Sequence, residues 1–260
     1  MPCSPSLKDK NIMLEMSAFT LSIISIGVMP DLEGISKTIA SVDEQDVDEV
    51  EHLCIYGKVD DLCGFDRWKK PSRRFFLNQD KGLYDAMNIG LLRAKGDYVF
   101  FLNSGDSFFS SHTLREVLSE LDGTDAIVFG SAQTYEDLQF IRRYKIGMSP
   151  RKIPHQGVVI RRNIAQKFWF DVHRSIDADS RWLQQVLRGT EIKISKSIIS
   201  RFSLGGVSNF PTIHTAKIRL FEQGKQRFLL ELLKFSVRRM IGNRNYYLAM
   251  MRFWDLKNRK

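Results

Sequence analysis

The sequence predicts an α/β fold, a mostly parallel central sheet with helices on both faces, followed by a basic helical C-terminal segment. Three observations carry this. Strand-like and helix-like runs alternate from about residue 20 to residue 131, the pattern of a parallel sheet covered on both sides. Within Gly82 to Lys95, the residues Leu83, Ala86, Met87, Gly90, Leu91 and Ala94 share one helical face. Charge is also split unevenly. Of 39 Lys and Arg and 30 Asp and Glu, residues 213–260 hold 12 and 3, so the net +9 lies there and residues 1–212 are neutral.

Residues 1–17 are polar and read as a poorly ordered leader. Residues 18–212 form the main domain. Thr20 to Val28 is a buried strand, and Asp31 to Val42 a helix with Asp31 as its N-cap. Val50 to Tyr56 is a second strand, Gly57 to Pro71 a loop, and Arg73 to Leu77 a third strand. The helix over Gly82 to Lys95 leads into a fourth strand, Asp97 to Asn103. Ser111 to Leu121 is a helix and Asp125 to Ser131 a fifth strand. After residue 131 the pattern is mixed, with strands near 139–146 and 156–161 and a helix near 179–188. Arg219 to Ile241 and Tyr246 to Leu256 read as basic helices.

Several classes are excluded. Cys3, Cys54 and Cys63 are odd in number and lack a C-x-x-C spacing, so neither a disulfide framework nor a zinc site is expected, and a reducing cytoplasm suits them. The most apolar run, Ala18 to Pro30, is shorter than the roughly 20 residues a membrane span needs. No basic region followed by an apolar one opens the chain, so no signal peptide is expected. A main domain of zero net charge argues against nucleic acid as a partner.

The block "NQDKGLYDAMNIGLLRAKGDYVFFLNSGDSFF" (78–109) drives an apolar strand into Asn103-Ser104-Gly105-Asp106. Ligands of open parallel sheets bind beyond the carboxyl ends of the strands. Asp106 lies just past such an end, and Gly105 permits a tight turn and close backbone approach. A carboxylate there can hold a divalent cation that bridges a diphosphate. The same four residues are also ordinary turn formers. Asp177-Ala178-Asp179 precedes a helix with Trp182, Leu183, Val186 and Leu187 on its apolar face, which suits either a cap or a general base.

Residues 78–109 resemble the heart of the family 2 glycosyltransferases. Other pieces follow the family's order: "LSIISIGVMPDLEGISKTIASV" (21–42), "HQGVVIRR" (155–162), "FDVHRSIDADSRWLQQVL" (170–187) and "FSLGGVSN" (202–209). Asn-Ser-Gly-Asp with His-Gln and Gly-Gly-Val-Ser is most similar to the enterobacterial colanic acid glycosyltransferases. The resemblance, over roughly residues 20–210, implies a GT-A type fold and inverting transfer of a sugar from a nucleotide diphosphate donor. It implies Mg2+ or Mn2+ as cofactor, held by Asp106 within Ser104-Gly105-Asp106. It gives Asp179 the role of catalytic base, with Asp177 as the other candidate, and places His155 and Gln156 on the acceptor side. Asp61 and Asp80 would lie at the nucleotide end, although Asp80 also suits a plain helix cap. Ser104 stands where the family has the first carboxylate of its D-x-D motif, and Tyr56 where it has an aspartate beside the nucleotide.

The resemblance further implies a glycan or lipid-linked oligosaccharide acceptor in bacterial surface polysaccharide synthesis. The location expected is cytoplasmic, peripheral on the inner face of the cytoplasmic membrane. The C-terminal segment would meet an anionic membrane surface through its basic residues, interleaved with Tyr246, Tyr247, Phe253 and Trp254, or simply pack on the main domain with its charges solvated. Two rival functions stay open: a nucleotidyltransferase, and a non-catalytic nucleotide-sugar or glycan-binding module on the same fold.

Overall fold

The computed structural model describes residues 19–28, 31–57, 63–78, 82–174, 176–204 and 211–258. Strands β1 (Leu21–Val28), β2 (Val50–Gly57), β3 (Arg73–Asn78) and β4 (Tyr98–Phe101) pair in parallel in the order β3-β2-β1-β4. Helix α1 (Leu32–Asp43) connects β1 to β2, a 3₁₀ turn at Cys63–Trp68 lies between β2 and β3, and α2 (Leu83–Arg93) leads into β4. Alternation along the strands feeds two cores. Ile24, Ile26, Val99 and Phe101 join α2 on one face, while Leu21, Ile23, Phe100 and Leu102 fill the other. Helices α1 and α3 (Thr113–Ser119) cover that second face, and α5 (Ala178–Val186) joins α2 on the first.

Beyond β4 the sheet is mixed. β8 (Val158–Arg161) runs antiparallel between β4 and β6 (Ala126–Tyr135). β7 (Leu138–Arg142) folds back on β6 as a hairpin, and β9 (Ile192–Ser203) runs parallel to β6. The two-residue β5 (Ser107–Phe108) closes the edge against β9, so the order is β3-β2-β1-β4-β8-β6-β9-β5. The expected fifth strand is therefore present but does not neighbour the fourth. β9 has no counterpart in the sequence reading, where only its last two residues fall within "FSLGGVSN" (202–209). Its apolar positions are interrupted by Lys193, Lys196 and Arg201, and its pairing slips twice, between Val128 and Ser131 of β6.

Gly90 of α2 lies hard against β1, where an added Cβ would meet Ile24 Cγ2 at 2.3 Å. His52, buried on β2, accepts from Arg73 Nε at Nδ1 (2.9 Å) and sits 2.8 Å from Ser25 Oγ at Nε2, while Arg73 pairs with Asp43. Burial, aided by the Arg73 charge, pushes the His52 imidazole down to about 3.

After the short α4 (Arg162–Ala165), the chain ends in α6 (Ile213–Gln223) and α7 (Lys225–Asn258). Thr212 caps α6 reciprocally with Thr215. Glycines at positive φ, Gly224 (87°) and Gly242 (77°), separate the helical pieces. The second half of α7 packs on the β6–β7 hairpin. Tyr247 is 1% exposed and donates to the Gln133 carbonyl at 2.9 Å, and Trp254 lies edge-on to Phe140 and Tyr144. Tyr246, Tyr247 and Trp254, read from sequence as membrane-facing, thus face the hairpin, because its apolar face needs cover. Phe253 stays exposed. No helix among the described residues is long and apolar enough to cross a membrane.

Candidate active site

The turn after β4 is held by neighbouring elements. Ser104 N donates to the Ile26 carbonyl (2.9 Å) and Gly105 N to the Gly34 carbonyl (3.0 Å). Thr38 Oγ1 bonds the carbonyls of Asn103 and Asp106, and Lys37 Nζ that of Gly105. Gly105 adopts φ 88°, a conformation that L side chains rarely adopt. This aims Asp106, only 7% exposed, at Gln156, whose Nε2 donates to Oδ2 at 3.4 Å. Burial pushes the Asp106 carboxyl up to about 7, against the opposing pull of His155, Gln156 and Lys37.

His155, next to Gln156 at the entry to β8, reaches the second carboxylate. Its Nδ1 is 3.0 Å from Asp179 Oδ2, and its Nε2 is 3.2 Å from Asn103 Nδ2. The ring stands edge-on to Phe101. Asp179 occupies the first turn of α5. Burial raises its pKa, but the hydrogen bond and charge of His155 outweigh it and hold the carboxyl below the usual range. Tyr84 of α2 borders the same carboxylate; its own burial, then the Asp179 charge, pushes the phenol's ionisation up.

These groups line one cavity of about 890 Å³. Asp106, Ser104, Gly105, His155, Gln156 and Asp179, all named from the sequence, line it. Asp177 does not. It takes a left-handed φ of 64°, and its carboxylate is committed to Arg174, Arg181, Arg219 and the Gln223 amide. It ties α6 to the start of α5 rather than facing an acceptor, which corrects that assignment. Asp61 and Asp80 lie outside the described residues. Tyr56, where a nucleotide-binding aspartate was sought, is fully buried and stacked on Phe65.

Other cavity residues escaped the sequence reading. Asp31, expected only as a cap, does accept from Gly34 N, yet its other oxygen takes the Ser104 hydroxyl at 2.9 Å. Lys37, Tyr84, Gln133 and Arg142 also line the cavity, brought there from separate elements. No local pattern marks them. The D-N-cap signature of Asp31 explains one of its two bonds and hides the other.

For a divalent cation, the donor set is sparse but suitable. Among the described residues no group of three or more His, Cys, Asp or Glu could hold a metal by itself. Asp106 is nonetheless a buried carboxylate whose partners do not offset its burial, and the neighbouring Asn103 Oδ1 is buried with no hydrogen-bond partner. Both are hard oxygen donors of the kind Mg2+ and Mn2+ prefer, and such ions take most of their shell from substrate phosphates and water.

The family model described as glycosyl transferase family 2 matches residues 33–183. An uncharacterized glycosyltransferase of Mycobacterium tuberculosis is 25% identical over 256 residues, covering 92% of this chain and 96% of its own. Among solved structures, S. aureus TarS in complex with UDP-GlcNAc is 12% identical with a TM-score of 0.63, over 84% of this chain and 67% of that one. The mannosyltransferase PcManGT from Pyrobaculum calidifontis, in complex with GDP-Man and Mn2+, is 12% identical with a TM-score of 0.57, over 91% of this chain and 80% of that one. These two likenesses show the fold, which is GT-A-like. With the family model spanning more than half of the sequence, the chain belongs to glycosyl transferase family 2 and is a glycosyltransferase.

Proposed function

We propose that this enzyme inverts the anomeric carbon of a sugar as it moves that sugar from a nucleotide diphosphate to an acceptor hydroxyl. One observation carries the reading: two carboxylates from distant elements, Asp106 and Asp179, meet consecutive residues, Gln156 and His155, on one cavity wall. Asp179, ionised and oriented by His155, accepts the proton of the acceptor hydroxyl. That oxygen attacks the anomeric carbon, and the bond from carbon to diphosphate oxygen breaks with its electron pair leaving on the diphosphate. Asp106, with Asn103 Oδ1, would hold Mg2+ or Mn2+, which when bound neutralises the leaving diphosphate. The donors named for the structural neighbours, UDP-GlcNAc and GDP-Man, support a nucleotide-sugar donor.

Within the family we place the chain nearest the colanic acid enzymes, on Asn103 to Asp106 with His155-Gln156. We take the acceptor to be a lipid-linked oligosaccharide of bacterial surface polysaccharide synthesis, met at the inner face of the cytoplasmic membrane. The exposed face of the C-terminal helices supports that location, since Leu229, Leu233 (62%) and Met240 (75%) stand in solvent among Lys225, Arg227, Lys234 and Arg239.

The test is a thermal-shift screen of UDP-, GDP- and dTDP-sugars with and without Mn2+, because a ligand of the native state alone raises the melting temperature. One donor should stabilise the protein more with Mn2+ than without, and the best one should be hydrolysed slowly by the wild type. No shift with any donor would sink the proposal.

A further inference from the structure

The cavity wall formed by the β6–β7 hairpin, the 3₁₀ turn at Pro150–Lys152 and the end of β9 carries Gln133, Arg142, Arg151 and Lys152. No carboxylate among the described residues lines it. Gln133 is 4% exposed, and its Oε1 has no hydrogen-bond partner. Arg142 Nε is likewise buried without a partner. The register of the hairpin pairs Ser131 with Arg142 and Gln133 with Phe140, so these side chains share one face. Trp254 covers that face, with the Arg142 guanidinium 4.9 Å from its ring centroid.

A half-buried cation whose Nε is cut off from water without a partner is destabilising unless an anion meets it. Burial pushes the Arg142 guanidinium below its ordinary range, and the groups that oppose this are phenols, Tyr144 and Tyr247, with no carboxylate among them. Gln133 Oε1 needs a hydroxyl or N–H donor, and Arg142 Nε needs an oxygen acceptor. The position of the wall says which substrate brings them. In the sheet order, β8 separates β6 and β7 from β4, β1 and β2, and a nucleotide binds beyond the carboxyl ends of the parallel strands. Asp106 and His155 stand between the two halves, so Arg142 lies on the side away from the nucleotide.

We infer that Arg142 and Gln133 form an acceptor subsite for a sugar carrying an oxyanion, with Arg142 binding the anion and Gln133 a neighbouring hydroxyl. A uronate carboxylate and a sugar phosphate share this chemistry. The inference rests on the glycosyltransferase mechanism above, in which the acceptor approaches Asp179.

The experiment uses the full chain and ligand-observed NMR titration. Methyl β-D-glucuronide and glucose 1-phosphate serve as anionic probes and methyl β-D-glucoside as the neutral one. UDP and GDP binding is measured separately, so that a failure of the donor reading shows as absent nucleotide binding whatever the probes do. Wild type should bind one anionic probe about tenfold or more tighter than the neutral probe, the scale of one charged hydrogen bond. The tighter of the two names the source of the anion. Arg142→Gln should remove the preference and leave nucleotide affinity unchanged; Arg142→Lys should keep part of it. The melting temperature of unliganded Arg142→Gln should equal or exceed that of wild type, because an unmatched buried charge has gone. If Arg142→Gln does not fold, Gln133→Glu reads the same site: a carboxylate beside the anion should abolish the preference. Equal binding of charged and neutral probes by wild type would overturn the inference. So would an Arg142→Gln variant that weakens nucleotide binding instead, or one that only loses stability.

Discussion

His155 Nδ1 stands 3.0 Å from Asp179 Oδ2, and this bond does most to hold a half-buried carboxylate in its ionised form. Asp179→Asn should therefore leave donor binding near the wild-type level and lower turnover by about 10² to 10⁴, the usual loss for a general base. His155→Leu should act differently. With the hydrogen bond and charge gone, only the backbone N–H groups of Asp179 and Ser180 oppose burial, so the Asp179 pKa rises. The acid limb of the pH–rate profile then moves to higher pH. An unmoved limb would remove His155 from the role.

Asp106→Asn keeps the shape of the side chain and deletes its charge. Calorimetric titration of the nucleoside diphosphate should show that the increment contributed by Mn2+ disappears. Stability without ligand should hold or rise, because a carboxyl pushed up to about 7 by burial no longer has to be charged in the fold. Mn2+-dependent binding that survives the substitution would place the cation elsewhere.

The His52 network makes stability depend on pH. The native imidazole titrates at about 3 and the unfolded one at 6.5, so between those values the unfolded chain binds the extra proton. The stabilisation is complete above pH 6.5 and is lost as pH falls toward 3, with a limiting slope of about 1.4 kcal/mol per pH unit. Urea unfolding from pH 7 to pH 4 should show this component, and His52→Gln should flatten it.

Gly90→Ala sets helix propensity against packing. Alanine favours a helix interior by about 1 kcal/mol over glycine. The new Cβ would meet buried Ile24 Cγ2 at 2.3 Å, and overpacking of that kind costs about 1 to 3 kcal/mol. Packing should win, and the melting temperature should fall. Gly90→Ala with Ile24→Leu, which removes the β-branched Cγ2 methyl, should recover part of the loss.

For the membrane, co-sedimentation with phosphatidylglycerol vesicles should capture the full chain at low salt and release it as salt rises. Leu229→Ser with Leu233→Ser should weaken capture several-fold, since both leucines are exposed and neither supports the core. Capture that ignores both salt and these leucines would rule out the basic, apolar face as the contact.

The parallel half of the fold was legible because its signals are local. The period of α2, the buried runs of β1 and β4 and the Asp31 cap are each contained in a dozen residues. The mixed half was not, since the pairing of β6 with β8, β7 and β9 joins segments up to about 70 residues apart. The site divides in the same way. Asp106, His155, Gln156 and Asp179 fall in contiguous motifs that the family resemblance picks out. Arg142 meets Gln133 only through the hairpin register, and Asp177 acquires its role only when Arg219 and Gln223 of α6 reach it.

Trp254 over Arg142 also bears on inheritance. The family model ends at residue 183, whereas the wall beside Arg142 is finished by Phe202, Ser203 and the indole of Trp254. A graft of residues 33–183 onto a foreign tail would carry Asp106 and Asp179 but lose the cover of that wall. The wall proposed for the acceptor thus has Gln133 and Arg142 in the matched stretch and its cover in the tail. Descendants of such a protein could keep the chemistry intact while their tails drift toward new partners.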